Sequence, residues 1–137
     1  MLIIFDAVDK SGKDTLIREL HKRTNYQHVI INRFLASNYV YGQFRNRNVN
    51  LKDYLKYDNA LAKHAFIFQV ILFADKKDLI KRFKKHGETD LNFEEIDSVV
   101  KLYNEYVKQT KIKTLVLNTS CFNVEQCVNK ILRFVND

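Results

Sequence analysis

The chain has 137 residues, 46% of them hydrophobic, and carries a formal net charge of +7 at pH 7. Its length predicts one compact domain over residues 1–137, and its hydrophobic content excludes a disordered chain. No apolar run reaches the ~20 residues of a transmembrane helix and no signal-peptide pattern is present, so we expect a cytoplasmic protein without a membrane partner. The positive charge suits an anionic partner such as a nucleotide or DNA, and equally a solvated lysine-rich surface.

The first predicted strand, Leu2–Phe5, leads into a polar loop and then directly into helix-forming sequence. Residues 7–15 read Ala-x-x-x-x-Gly-Lys-Asp-Thr, one step from the phosphate-binding pattern Gly-x-x-x-x-Gly-Lys-[Ser/Thr]. In such a loop the backbone amides close around phosphate oxygens at the positive end of a helix. We therefore expect Ser11 and Gly12 to cradle phosphates and Lys13 to contact the outer ones.

The metal-binding position of this loop departs from the pattern, because Asp14 stands where a hydroxyl normally holds Mg²⁺. Thr15 could take over that contact, or Asp14 could bind the metal directly, since carboxylates are good Mg²⁺ ligands. Without a metal between them, Asp14 would repel the phosphates and activity would be poor. The sequence leaves these arrangements open.

Helical periodicity and β-branched runs alternate along the rest of the chain. The predicted elements are, in order, a helix over Lys13–Arg23, a strand over His28–Ile31, a helix start between Tyr39 and Phe44, a helix over Leu51–His64, a strand over Phe66–Phe73, a basic helix over Asp78–His86, a polar loop over Gly87–Asn92, a long helix from Phe93 to Val107, a strand over Ile112–Leu117 and a closing helix from Val124 to Val135 that packs Cys127. This alternation predicts an α/β fold with a mostly parallel sheet of four strands, the first two joined as a βαβ unit.

Four segments resemble the thymidylate kinase group of P-loop kinases and their deoxynucleoside kinase relatives. Residues Phe5–Thr15 resemble that family's first strand and phosphate loop, including the acid–base pair Asp9-Lys10. Asn32–Tyr41 is similar to its Asp-Arg-Tyr-x-x-Ser-x-x-Ala-Tyr segment. Phe68–Glu88 is similar to its fourth strand and basic lid entry, and Leu115–Glu125 to its last strand, adenine-side loop and closing helix. The segments occur in the family's order and cover most of the chain.

The resemblance implies a three-layer P-loop NTPase-type fold and transfer of the γ-phosphate of ATP, with Mg²⁺, to a (deoxy)nucleoside or nucleoside monophosphate. It implies catalytic roles for Lys13, Lys10 and Arg33, with Lys10 neutralising the transferring group. The residues implied to bind the cofactor are Ser11, Gly12, Lys13, Asp14, Thr15 and Arg82, and those implied to bind the substrate are Asp9, Arg33, Ser37 and Tyr41. Asp6 would orient a water or Mg²⁺, or serve the structure.

The chain also departs from this family. Far fewer residues separate the first loop from Asn32-Arg33, so the strand, helix and arginine that normally grip the acceptor are missing. Asn32 replaces the family's acid, and Thr89–Asn92, where the lid is expected, contains no arginine. Arg82, Lys84, Lys85 and His86 are candidates for the lid entry, although such a charge run is usually a solvated helix face. The reduced size suggests a viral source.

Two alternatives stay open. A kinase of a modified base or end in DNA would use the open acceptor side, with Arg45 and Arg47 following the DNA backbone. The second alternative is a catalytically degenerate protein that keeps the fold and binds nucleotide, or nothing. Asp14 and Asn32, which depart from the family pattern, would be the marks of this loss. A second copy of the chain, forming a homodimer, is a further candidate partner.

Overall fold

The computed structural model describes residues 1–86 and 94–137, without the side chain of His86. Strands and helices alternate along these residues in the order β1 (Leu2–Ala7), α1 (Lys13–Thr24), β2 (Val29–Asn32), α2 (Leu35–Phe44), α3 (Leu51–Ala62), β3 (Ile67–Phe73), α4 (Lys76–His86), α5 (Ile96–Gln109), β4 (Lys113–Asn118) and α6 (Val124–Asn136). The predicted elements among them are confirmed, with ends that differ by a few residues. The predicted loop Gly87–Asn92 lies outside the described residues.

The four strands form one parallel sheet in the order β2-β1-β3-β4, which confirms the predicted sheet. The two central strands are almost entirely buried. Helices cover both faces of such a sheet, so its inner strands have no solvent side and read as continuous apolar runs. Because all strands are parallel, their carboxyl ends lie along one edge of the sheet.

Helices lie on both faces of the sheet and complete three layers. On one face α1 and α6 pack through Leu16, Leu20 and Ile131, and the thiol-bearing Cys127 is buried among them, as the sequence predicts. On the other face α2, α4 and α5 enclose a second apolar cluster around Tyr103. None of the described helices is long and apolar enough to cross a membrane.

Helix α2 begins earlier than the predicted start between Tyr39 and Phe44, at Leu35. The carboxylate of Asp6, at the end of β1, accepts hydrogen bonds from the backbone amides of Phe34 (2.9 Å) and Ser37 (3.0 Å). It thereby caps the first turn of α2 from another part of the chain. Local periodicity cannot reveal a cap that is supplied from so far away in the sequence.

Helix α3 is held by a fully buried carboxylate, that of Asp58. Its oxygens accept hydrogen bonds from the Tyr106 hydroxyl (3.0 Å), the Thr110 hydroxyl (2.5 Å) and the Lys111 amide (2.7 Å). These donors belong to the end of α5 and the turn that leads into β4. Asp58 therefore fixes α3 to the segment that aligns the edge strand of the sheet.

We expect Asp58→Ala to lower the free energy of unfolding by about 2–4 kcal/mol, because it removes bonds to a charged acceptor and leaves the buried Tyr106 hydroxyl unpaired. Chemical denaturation measures this change. Asp53→Ala, which removes the same charge from the exposed first turn of α3, should cost less than about 1 kcal/mol. Equal losses in the two variants would show that Asp58 acts only through net charge.

Candidate active site

The candidate site lies at the carboxyl edge of the sheet, where β1 passes through residues 8–12 into α1. Gly12 precedes the helix with a φ of 90°, a left-handed conformation that glycine adopts without steric cost. Because glycine has no side chain, the N-cap position makes no side-chain hydrogen bond to the first amides of α1. The first amides of α1 have no acceptors within the helix, and its positive end favours an anion. This is the geometry of a phosphate-binding loop.

A cleft of about 1260 Å³ opens above this loop. It exceeds the ~300–1,000 Å³ of most small-molecule sites, so there is room for more than one ligand. Its lining residues are Val8, Asp9, Lys10, Ser11, Gly12, Lys13, Asp14, Thr15, Leu16, Arg33, Arg82, Lys85, Thr119, Phe122, Asn123, Val124 and Cys127. The structure therefore brings the predicted cofactor residues together with Lys10, Asp9 and Arg33 around one cleft.

Ser37 and Tyr41, predicted to contact the substrate, lie outside the lining of this cleft. The Tyr103 hydroxyl donates to the Ala7 carbonyl (2.8 Å) and lies 2.8 Å from the Ser37 hydroxyl. The Tyr41 hydroxyl accepts from the Asp9 amide (3.2 Å). Burial raises the pKa of Tyr103 well above its usual value. Burial and the nearby Asp9 charge raise the pKa of Tyr41 to about 12. Both hydroxyls therefore stay protonated at neutral pH. Here these hydroxyls support the loop, and the predicted contact of Ser37 and Tyr41 with a substrate stays a prediction.

The Arg33 guanidinium reaches the loop from the end of β2. It donates to an Asp9 carboxylate oxygen at 2.5 Å and to the Ala7 carbonyl at 3.3 Å, and it lies over the Tyr41 ring, 5.3 Å from the centroid. The Arg33 backbone has a φ of 69°, which is unfavourable for a side chain of this size. Such strain persists where surrounding contacts fix the residue, as often happens at functional sites. Asp9 and Arg33 therefore form an ion pair, and both residues line the cleft.

Lys13 lies beside Asn32 and Asp14. Its ammonium group donates to the Asn32 side-chain oxygen and is 3.4 Å from an Asp14 carboxylate oxygen, to which the Asn32 amide also donates at 3.4 Å. Burial and the nearby Arg33 guanidinium lower the pKa of Lys13, and Asp14 acts in the opposite direction. Asn32 is neutral, so the Asp14 carboxylate is the one negative charge among these three side chains, and a second carboxylate at position 32 would repel it.

Two residues from later parts of the chain also hold the loop in place. Arg82, on α4, donates to the Lys10 carbonyl at 2.7 Å, and Thr119, after β4, donates to the Ser11 carbonyl at 2.7 Å. The Lys10 backbone has a φ of 67°, which is unfavourable for a residue other than glycine. The hydrogen bond from Arg82 to its carbonyl helps to hold this conformation. Arg82, predicted to bind the cofactor, therefore contacts the loop and lines the cleft.

Sequence reasoning missed Thr119, Phe122 and Tyr103. The first two follow strand β4, and open α/β sheets bind ligands beyond the carboxyl ends of their strands, so that rule could have singled them out. The Phe122 ring also carries the Lys130 ammonium group 4.4 Å from its centroid. Tyr103 gives no such signal, because it lies within the apolar stripe of α5. For Asp6, the described contacts fit the structural alternative, since one carboxylate oxygen caps α2.

The chain is similar to the SPbeta prophage-derived uncharacterized protein YorR of Bacillus subtilis (strain 168), with 27% identity over 129 residues, 92% of this chain and 76% of YorR. A crystal structure of YorR in complex with phosphorylated GDP superimposes with a TM-score of 0.84 at 23% identity, covering 99% of this chain and 96% of that one. No protein-family model matches the sequence.

Two kinases of nucleosides and nucleotides share the architecture. Deoxyadenosine kinase from M. mycoides, with dCMP and dCDP bound, matches with a TM-score of 0.72 at 18% identity, covering 99% of this chain and 98% of that one. Thymidylate kinase from Candida albicans matches with a TM-score of 0.63 at 13% identity, covering 99% and 91%. At these identities the similarity establishes the fold. The chain therefore has, in shortened form, the α/β fold of the P-loop nucleoside and nucleotide kinases, as its motifs predict.

Proposed function

We propose that this protein is a phosphotransferase that moves the γ-phosphate of ATP to a (deoxy)nucleoside or a nucleoside monophosphate. The observation that carries the proposal is the phosphate loop, in which the open start of α1 and Lys13 share one cleft with the Asp9–Arg33 pair. A triphosphate can bind at the phosphate loop while the molecule that accepts its γ-phosphate lies at the Asp9–Arg33 pair. Phosphoryl transfer needs this positioning and charge neutralisation more than it needs covalent chemistry.

The donor nucleotide would extend from the loop towards the segment after β4. Its phosphates meet the amides at the start of α1, and Lys13 moves from Asn32 and Asp14 to the outer phosphates. Its base would reach Phe122, an aromatic residue that also lines the cleft. YorR, the prophage-derived relative, was crystallised with phosphorylated GDP, so a guanine nucleotide belongs beside ATP among the donors to be assayed.

The residues present fit a magnesium ion. The Asp14 side chain is 83% exposed at the start of α1, and Thr15 lines the cleft next to it. Mg²⁺ in such sites is held by one or two carboxylates together with waters and substrate phosphates, so this single, largely exposed carboxylate matches its demands. Asp14 would hold the ion, with Thr15 as the neighbouring hydroxyl. When bound, the ion neutralises charge on the phosphates.

The acceptor would bind at the Asp9–Arg33 pair. Both side chains are partly exposed, 23% for Asp9 and 32% for Arg33, so a ligand can compete for them. The Asp9 carboxylate would accept a hydrogen bond from an acceptor hydroxyl, and Arg33 would neutralise charge on the transferring group or on an acceptor phosphate. Lys10 lines the same side of the cleft and would add a second cation.

We expect Lys13→Ala to lower the rate of transfer at least ~100-fold, because it removes a cation that stabilises charge in the transition state. The measurement is transfer of labelled γ-phosphate from ATP and from GTP to a panel of nucleosides and nucleoside monophosphates. The control is Lys22→Ala, an exposed lysine on the same helix that pairs with Glu19, and its rate should stay within about twofold.

Two results would contradict the proposal. One is the absence of transfer from either donor to every acceptor of the panel while calorimetry shows that ATP binds, because the protein would then be a nucleotide-binding protein without turnover. The other is a transfer rate that Lys13→Ala leaves unchanged, because the activity would then come from another site or from a contaminant.

We expect Asp14→Asn to raise the Mg²⁺ concentration needed for half-maximal transfer, because it removes the anionic ligand and keeps the side-chain size. Titration of Mg²⁺ at saturating ATP measures this. Glu19→Gln, which removes a charge further along the same helix, should leave the requirement unchanged. A large gain of activity in Asp14→Thr would contradict this role and show that Asp14 impairs the loop.

A further inference from the structure

The positive charge of the protein is concentrated on one helix. Helix α4, Lys76–His86, has the sequence KKDLIKRFKKH, with six lysine and arginine residues and a single carboxylate. With histidine neutral its net charge is +5, out of +7 for the whole chain. Because the electrostatic potential is the sum of all nearby charges, this concentration of cations favours the approach of a polyanion to α4.

Three lysines of α4 form a line, here called the lysine stripe: Lys77, Lys81 and Lys85. They are spaced four residues apart, which places them on one side of the helix at intervals of about 6 Å along its axis. All three are exposed. The opposite side of the helix packs into the protein through Leu79 and Phe83, which are 0% and 5% exposed. The stripe therefore faces solvent on a helix that the core holds in place.

The stripe has little neutralising charge of its own. Lys76, next to it in sequence, pairs with Asp97 at 2.8 Å, but Lys77, Lys81 and Lys85 form no salt bridge within residues 1–86 and 94–137. The pKa of Asp78 on the same helix is lowered, mainly by its hydrogen bond with Ser120 and further by the charges of Lys77, Arg82 and Lys81. This one carboxylate offsets only part of the charge of the stripe. Mobile counterions must accompany such a row of cations, and a polyanion gains free energy by releasing its own counterions there.

The stripe also leads to the cleft. Lys85 at its end lines the cleft, together with Arg82 from the preceding turn, which holds the Lys10 carbonyl. A strand that follows the stripe would therefore arrive at the mouth of the cleft.

We propose that the lysine stripe binds the phosphodiester backbone of a nucleic-acid strand. A line of regularly spaced point charges fits a chain of regularly spaced phosphates. An anionic membrane is disfavoured, because a helix that lies on lipid inserts its apolar side, and the apolar side of α4 is occupied by the core. The proposal concerns binding and holds whether or not the proposed transfer of phosphate takes place.

The test is fluorescence anisotropy of a short labelled oligodeoxythymidine, and of a duplex of equal length, titrated with the full chain over a series of salt concentrations. For the single strand, the double variant K77Q/K81Q should reduce the slope of log affinity against log salt by about 1.4, since each phosphate contact contributes about 0.7. At low salt its affinity should fall at least about tenfold.

The chain offers a matched control on another helix. Lys52 and Lys56 of α3 are exposed and have the same spacing as Lys77 and Lys81, so K52Q/K56Q removes the same charge. This variant should change the affinity less than about twofold. Thermal unfolding of both variants checks that the substitutions leave the fold intact, as expected for exposed lysines.

Three outcomes would overturn the proposal. They are no binding of either oligonucleotide by the unmodified protein, equal weakening in the two double variants, or tighter binding to phosphatidylserine vesicles than to the oligonucleotides with loss of that binding in K77Q/K81Q. The first outcome would show that the protein does not bind nucleic acid. The second would show that only the net charge of the protein matters. The third would show that the stripe binds a membrane surface.

Discussion

A buried polar junction at the end of β1 supports the rest of the structure. The Asp6 carboxylate caps α2, and the Tyr103 hydroxyl of α5 bonds the Ala7 carbonyl and lies against the Ser37 hydroxyl of α2. Buried polar groups are costly unless they are paired, so these bonds permit few other arrangements of the three elements. The loop that follows Ala7 therefore leaves the sheet in a fixed direction, with the start of α1 facing the cleft.

Unfavourable backbone conformations persist next to this junction because contacts with other elements hold them. Lys10 and Arg33 both have positive φ angles, and each is held by bonds to other elements, Lys10 through Arg82 and Arg33 through Asp9. The cost of about 1–2 kcal/mol for each such residue is offset by contacts that a relaxed loop would lose. The Asp9–Arg33 pair and the turn at Lys10 are thereby positioned before any ligand binds, which would give the proposed phosphoryl transfer part of the preorganisation that it needs.

The sequence predicts those parts of the structure whose cause is local. The apolar stripe of α6, the buried run of β3 and the pattern of the phosphate loop each follow from neighbouring residues. The start of α2 does not, because its cap is Asp6, and neither does Tyr103, whose hydroxyl acts on a residue far away in the chain. The contact between the Ser37 and Tyr103 hydroxyls is also hidden in the sequence, because the two residues lie far apart in the chain, and a substrate contact of Ser37 stays a prediction.

The proposed function requires that the loop after β1 binds the phosphates of a nucleotide whose base lies near Phe122. Amide NMR spectra recorded during titration with ATP and Mg²⁺ test it most directly, because each backbone amide reports separately. We expect the largest shifts at residues 9–16, 119 and 122–124, which line the cleft, and little change around His21 and His28 at the opposite end of the sheet. If no amide shifts, or if the shifts leave residues 9–16 unchanged, the loop does not bind the phosphates and the proposed binding mode is contradicted.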